Sequence, residues 1–235
     1  ADLDQSTQPS VPMIRARRPH ASALAIWAGL LTLYFVWGST YIGIRVSVET
    51  IPPFFMAAVR FLIAGSVLLA WEAFAAWRIR RDPTVPEAER PRLPSAREWR
   101  VSTIVGGALL FGGMGFVALG EQTVPAGLAA ILIALLPAWV AILGRIFFGE
   151  RLPVAAVVGI VVGLVGVVIL VGPGDGGPAF APFGLFFLLL SPLCWGAGSL
   201  FSSHRAVLPR RPLTSTGLQM VCGGALLLVG SVLVG

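Results

Sequence analysis

The 235-residue chain is 56% apolar and only 12% charged, with a formal charge of +6. Soluble domains carry roughly 25% charged residues, so several nearly charge-free runs of about 20 residues exclude a water-soluble fold. All 17 basic residues are arginines that flank these runs instead of forming one patch, which argues for a membrane-face bias and against nucleic acid.

Residues 1–22, with Asp2, Asp4, Pro9 and Pro12, read as a disordered cytoplasmic tail. Arg15, Arg17 and Arg18 precede an apolar run longer than a signal-peptide core, so that run reads as a retained first helix. Seven spans are expected: 23–44, 54–77, 101–120, 126–148, 152–171, 183–203 and 215–235. They must be helical, because open sheet edges cannot sit in hydrocarbon and the runs lack the alternation of barrel strands. Pro52-Pro53 divides the first two, and Glu121 to Pro125 forms a tight link between the third and fourth. Segment 78–100, rich in Arg, Glu and Pro, reads as a flexible cytoplasmic loop. Apolar residues continue to Gly235 without a polar flank, which leads us to expect a chain cut short.

With the N-terminus cytoplasmic, 15 arginines fall on the inner side, Arg45 near the outer face and Arg60 within a span. That asymmetry sets the orientation. The sequence also echoes itself. A shift of 158 carries Trp37-Gly38 onto Trp195-Gly196, and a shift of 159 carries Gly65, Leu68 and Leu69 onto Gly224, Leu227 and Leu228. A period of five helices makes the second copy enter from the opposite face, an arrangement that exposes one site alternately to two sides.

Trp37-Gly38-Ser39-Thr40-Tyr41, then Ile51-Pro52-Pro53-Phe54-Phe55 leading to Arg60-Phe61, resembles the opening of an EamA-type carrier of the drug/metabolite transporter superfamily. Pro125-Ala126-Gly127-Leu128-Ala129, Pro137, and Phe147-Phe148-Gly149-Glu150-Arg151-Leu152 extend the likeness. The resemblance implies an all-α polytopic membrane protein with ten helices in two inverted five-helix repeats. About seven helices would be present here: 23–171 as the first repeat and 183–235 as the truncated start of the second. It also implies a central cavity to which the first, third and sixth helices contribute. Gln219 stands where the second repeat would match Arg60.

Among individual residues, Trp37 and Tyr41 lie four apart on one helix face, and with Ser39 and Thr40 they favour cavity lining over simple packing. Trp195 and Ser199 are their candidate counterparts. Arg60 reads first as a snorkelling or fixed structural arginine, with attraction of an anion or a switch pair with Glu72 or Glu49 as the alternative. A direct Arg60–Glu72 pair is excluded by a separation of about 18 Å along a helix. Glu150-Arg151 is a gate or a cap with equal weight, and His204 a cap before a proton carrier. Glycines in the third span (Gly106, Gly107, Gly112, Gly113, Gly115, Gly120) and the fifth (Gly159, Gly163, Gly166) are expected at close helix contacts. Pro137 should kink the fourth span. Cys194 and Cys222 lack metal-site or disulfide spacing and read as small buried side chains.

No HExxH, nucleotide-binding or triad motif occurs, so no enzyme, metal or cofactor is expected. The expected function is a secondary transporter exporting a small metabolite or drug-like solute across the inner membrane by alternating access. The alternative is a scaffold or receptor-like membrane protein without transport. Expected partners are the solute and the lipid bilayer, with a homodimer allowed. Proton coupling lacks an obvious carrier, because no acidic residue stands clearly buried at mid-span.

Overall fold

The computed structural model describes residues 22–87, 90–150, 152–171 and 182–234. All regular elements among them are helical: α1 (Ala23–Ser47), α2 (Pro53–Arg81), α3 (Ala96–Gly106), a π-helical segment (Gly107–Gly115), α4 (Phe116–Gly120), α5 (Ala126–Ile133), α6 (Leu136–Phe148), α7 (Val154–Val171), α8 (Pro182–His204) and α9 (Pro212–Val234). Among the described residues, six stretches are long and apolar enough to cross a membrane: Ala23–Ser47, Pro53–Arg81, Ala96–Gly120, Ala126–Phe148, Pro182–His204 and Pro212–Leu233. Val154–Gly166 is a shorter apolar stretch. The chain is therefore a polytopic all-α membrane protein, with helices where the apolar runs place them.

Local chemistry explains where the helices start, stop and deform. Pro53 opens α2, where its missing N–H costs nothing. The polar segment 78–100 is shorter as a loop than its composition implies, because α2 continues to Arg81 and α3 begins at Ala96. A capping box fixes that start: Glu98 N donates to Ser95 Oγ at 3.3 Å, and Ser95 N donates to Glu98 Oε2 at 2.7 Å. Arg92 adds an ion pair to Glu98 at 2.9 Å. The fourth span is interrupted at Ala134 and Leu135, whose backbone stays right-handed, with Pro137 in the first turn of α6. Gly149 ends α6 with φ +68°, a left-handed conformation that glycine adopts without strain.

The chain divides into two compact units, Ala1–Trp37 and Gly38–Gly235, the boundary falling within α1. The described part of the first unit is helical, and its large apolar side chains, among them Trp27, Tyr34 and Phe35, are exposed. In the second unit α2 packs along α9. The third span (α3, the π-helical segment and α4) lies against both α8 and α9, and α5 and α6 pack on α8. One apolar cluster joins Ile44 of α1 and Val48 just after it to Val117, Ala118, Val124, Leu128, Leu132 and Leu188. A second joins Phe54, Ala57, Ala58 and Phe61 of α2 to Leu119 and Leu227.

Helices in lipid gain little from apolar burial and associate through close packing and hydrogen bonds, which small residues permit. The third span obeys this. A Cβ on Gly106 would strike the Gln219 carbonyl oxygen, and one on Gly223 would meet the Gly106 carbonyl oxygen at 2.7 Å. On the α2–α9 contact, a Cβ at Gly65 would meet Val221 at 3.0 Å, and one at Gly224 would meet Leu62 at 2.9 Å. The fifth-span expectation fails, since Gly159, Gly163 and Gly166 have no neighbour within 4 Å of an added Cβ.

Candidate functional site

The sixth span carries the most functional detail. Within α8, Pro192 removes a backbone donor from the helix interior. At the same level Ser191 turns its hydroxyl across to the third span, donating to the Gly113 carbonyl at 2.8 Å. Gly113 lies in the nine-residue π-helical segment, and such widened turns are rare and concentrate at functional sites. Cys194 sits against Gly112, where a Cβ would come within 2.8 Å of it, and Trp195 lies over Gly113, 3.6 Å from an added Cβ. One turn further Ser199 is half-buried, while Gly198 meets Ala108. Trp195 and Ser199 therefore occupy a half-buried strip of α8, with Trp195 directly on the deformed third span.

At the far end of α8, an open cavity of about 440 Å³ lies between α6 and α8. Leu143, Phe147, Phe148, Ala197, Leu200, Phe201 and Arg205 line it, giving apolar and aromatic walls with one guanidinium. The left-handed turn at Gly149 brings Glu150 back toward α8, and Glu150 Oε1 lies 3.2 Å from His204 Nε2. The His204 ring stacks on Phe148 at 4.1 Å, and Arg205 stands 5.9 Å from the same ring. Two of the charged candidates are thus paired with each other. Arg151 lies outside the described residues.

On α1, Trp37 belongs to the N-terminal unit and is 46% exposed there. In the second unit Ser39 is exposed, while Thr40 and Tyr41 are half-buried and Tyr41 packs against the Ile44–Leu188 cluster. Arg60 is half-buried, its guanidinium 4.7 Å from the Phe61 ring centroid. Its electrostatic neighbour is neither Glu72 nor Glu49 but Glu121. Glu72 instead pairs with Arg211 Nε at 2.7 Å and accepts from Thr214 Oγ1 at 3.1 Å, tying α2 to α9.

Glu121 is the residue that sequence reasoning missed. It lies in the link between the third and fourth spans, is fully buried, and neither carboxylate oxygen has a hydrogen-bond partner among the described residues. Burial pushes its carboxyl up to about 8, against the opposing pull of Arg45 and Arg60. The available signal was a lone Glu between two apolar runs, which reads equally well as an exposed turn residue. No cluster of metal-ligating side chains occurs among the described residues.

These features define a membrane protein in which the glycines of the third span receive Ser191, Cys194 and Trp195 of the sixth. The profile of the EamA-like transporter family matches residues 24–172, and the chain belongs to that family. It is 35% identical over 213 residues to the uncharacterized inner membrane transporter YedA of Escherichia coli K12, a match covering 90% of this chain and 63% of YedA. It is 26% identical over 179 residues to the uncharacterized transporter YoaV of Bacillus subtilis, covering 75% of this chain and 56% of YoaV. Over 175 residues it is 26% identical to the "probable amino-acid metabolite efflux pump" of E. coli K12, covering 73% of this chain and 51% of that protein. A solved crystal structure with 26% identity superposes with a TM-score of 0.56, covering 86% of this chain and 65% of that one. The chain spans less than two thirds of the length of each of these proteins.

Proposed function

We propose that this protein is part of a secondary transporter that exports a small polar or amphipathic metabolite across the inner membrane by alternating access, without bond chemistry. The observation that carries this reading is the family match over 24–172 on a chain with six membrane-length helices. The names of YedA and of the amino-acid metabolite efflux pump support the inner membrane and an amino-acid-like solute. The arginine asymmetry supports a cytoplasmic N-terminus.

The inverted repeat belongs to the same reading: 23–171 as one copy and 183–235 opening the second. Reciprocal packing supports it. The shift of 159 that carries Leu62 onto Val221 also carries Gly65 onto Gly224, and the contacts are Gly65 with Val221 and Gly224 with Leu62. A two-fold axis pairs contacts in this crossed way. In this scheme Ser39, Thr40, Tyr41, Trp195 and Ser199 line the solute path. The Glu150–His204 pair holds the ends of α6 and α8 together as a cytoplasmic-side gate. Arg60 serves the other end.

The test is solute counterflow into proteoliposomes holding the purified chain, over a panel of amino acids and amphipathic metabolites. Uptake that falls at least about tenfold in Trp195→Ala, with folding retained, is the expected result. A chain that remains folded and moves none of the panel favours the scaffold or receptor-like alternative.

A further inference from the structure

Among the described residues, both oxygens of the fully buried Glu121 carboxyl lack hydrogen-bond partners, although two arginines stand near it. An ionised carboxylate so placed would be strongly penalised unless paired, because burial strips its water. Arg45 does not supply that pairing. Its guanidinium donates to the backbone carbonyls of Glu121 and Gln122, the latter at 2.9 Å, and so clamps the end of α1 to the link. Arg60, on α2, lies against Phe61.

The carboxyl is also held in place. Glu121 N donates to the Val117 carbonyl at 2.9 Å and Val124 N to the Gly120 carbonyl at 3.0 Å, so the link is a continuation of helical turns. Val117, Ala118 and Val124, which flank Glu121 in sequence, form one buried apolar cluster with Leu188. From α8 the adjoining residues are Gly184 and Leu188, neither of which titrates, and Tyr41 on α1 packs on the same cluster. The charged groups acting on Glu121 are Arg45 from α1 and Arg60 from α2.

We propose that Glu121 is a proton-binding site that controls the attachment of α1 to the link between the third and fourth spans. With the proton on, the carboxyl is neutral and Arg45 stays on the carbonyls of Glu121 and Gln122. When the proton leaves to solvent, the bare carboxylate needs a guanidinium partner. Drawing in Arg45 dismantles the clamp, and drawing in Arg60 takes it off Phe61. The first moves α1 relative to the link, and the second moves α2. The proton site stands on this geometry alone; that its loss opens a solute path rests on the transporter reading above.

The test uses the full chain in lipid nanodiscs, with the proton itself as probe. Infrared difference spectra across a pH series should show a protonated-carboxyl band that disappears near pH 8 in the wild type and is missing in Glu121→Gln. Arg60→Gln removes a stabilising cation and should move that titration to higher pH. Hydrogen exchange at residues 121–124 should rise above the titration point relative to Glu121→Gln at the same pH. A band that survives in Glu121→Gln overturns the proposal, and so does an unshifted titration in Arg60→Gln should Glu121→Gln fail to fold. Equal exchange in wild type and Glu121→Gln overturns the clamp. A Glu121 titration without transport of any solute supports the proton site and counts against the transporter reading. Transport without that titration does the reverse.

Discussion

Ser191 on α8 and Gly113 in the third span are joined by a fully buried hydrogen bond of 2.8 Å, from a hydroxyl to a π-helical carbonyl. The bond crosses the helix interface one turn before Trp195, so it fixes how α8 lies on the widened segment. Interhelical hydrogen bonds within membranes contribute on average about 0.6 kcal/mol and at most about 1.7. The Gly113 carbonyl also accepts from the Phe116 N–H, so it keeps one partner when the hydroxyl is lost, which places this bond near the average. Ser191→Ala should therefore lower stability by about 0.6 kcal/mol in a detergent unfolding titration. No change would show that the Phe116 N–H alone satisfies the carbonyl.

The glycines of the third and fifth spans look alike in sequence and differ in surroundings. Gly106 has a backbone oxygen of α9 where a Cβ would go, whereas Gly159 has nothing within 4 Å. Backbone cannot yield as a flexible side chain does, so Gly106→Ala must push α3 and α9 apart. It should cost about 1–3 kcal/mol, the range for overpacking. Gly159→Ala should be neutral or stabilising by up to about 1 kcal/mol, because alanine is the better helix former. Thermal unfolding of the two variants side by side reads the difference.

The apolar runs of the sequence located the helices because hydrocarbon permits few other ways of satisfying a spanning backbone. Helix ends were harder. The capping box Ser95-Ala96-Arg97-Glu98 was legible in segment 78–100, but its Arg and Pro content outweighed it. Which glycine stripe meets a partner depends on tertiary neighbours, so Gly106 and Gly159 could not be told apart. Trp195 stood out through its echo of Trp37, and its seat on Gly113 accords with a third span meeting a sixth. Glu121 stayed hidden because burial of a link residue depends on segments far away in sequence: Val117, Ala118 and Val124, which flank it, cluster with Ile44, Val48 and Leu188. The pairing of Glu72 with Arg211 joins residues 139 apart, a distance over which sequence patterning says nothing.

That pair yields its own prediction. Glu72 is 8% exposed, and its partners are Arg211 Nε at 2.7 Å and Thr214 Oγ1 at 3.1 Å. Removing one member of a fully buried pair costs about 3–5 kcal/mol, because the other charge is stranded. Here the Arg211 side chain is 35% exposed, so water offsets part of the loss and about 1–3 kcal/mol is expected for Arg211→Gln. Glu72→Gln combined with Arg211→Gln should recover part of it, since no charge is then left behind. Unfolding of the single and double variants in the same detergent measures the recovery. A double variant no more stable than Arg211→Gln alone would rule out a stranded carboxylate as the cause.

Glu121 predicts a pH dependence of stability with a definite sign. Its carboxyl has an ordinary value of 4.5 and is raised by burial to about 8 in the folded protein. Between those values the folded chain holds a proton that the unfolded chain has released, so raising the pH favours unfolding. The contribution is fully present below about pH 4.5, falls as the pH climbs, and is gone above about pH 8. Gln in its place keeps the shape and never ionises. The melting temperature of the wild type relative to Glu121→Gln should therefore decline steadily across this window and level off beyond it. Other titrating groups affect both proteins alike and cancel in the difference. A flat difference from acid to alkaline pH would mean that Glu121 is already ionised and paired in the folded state.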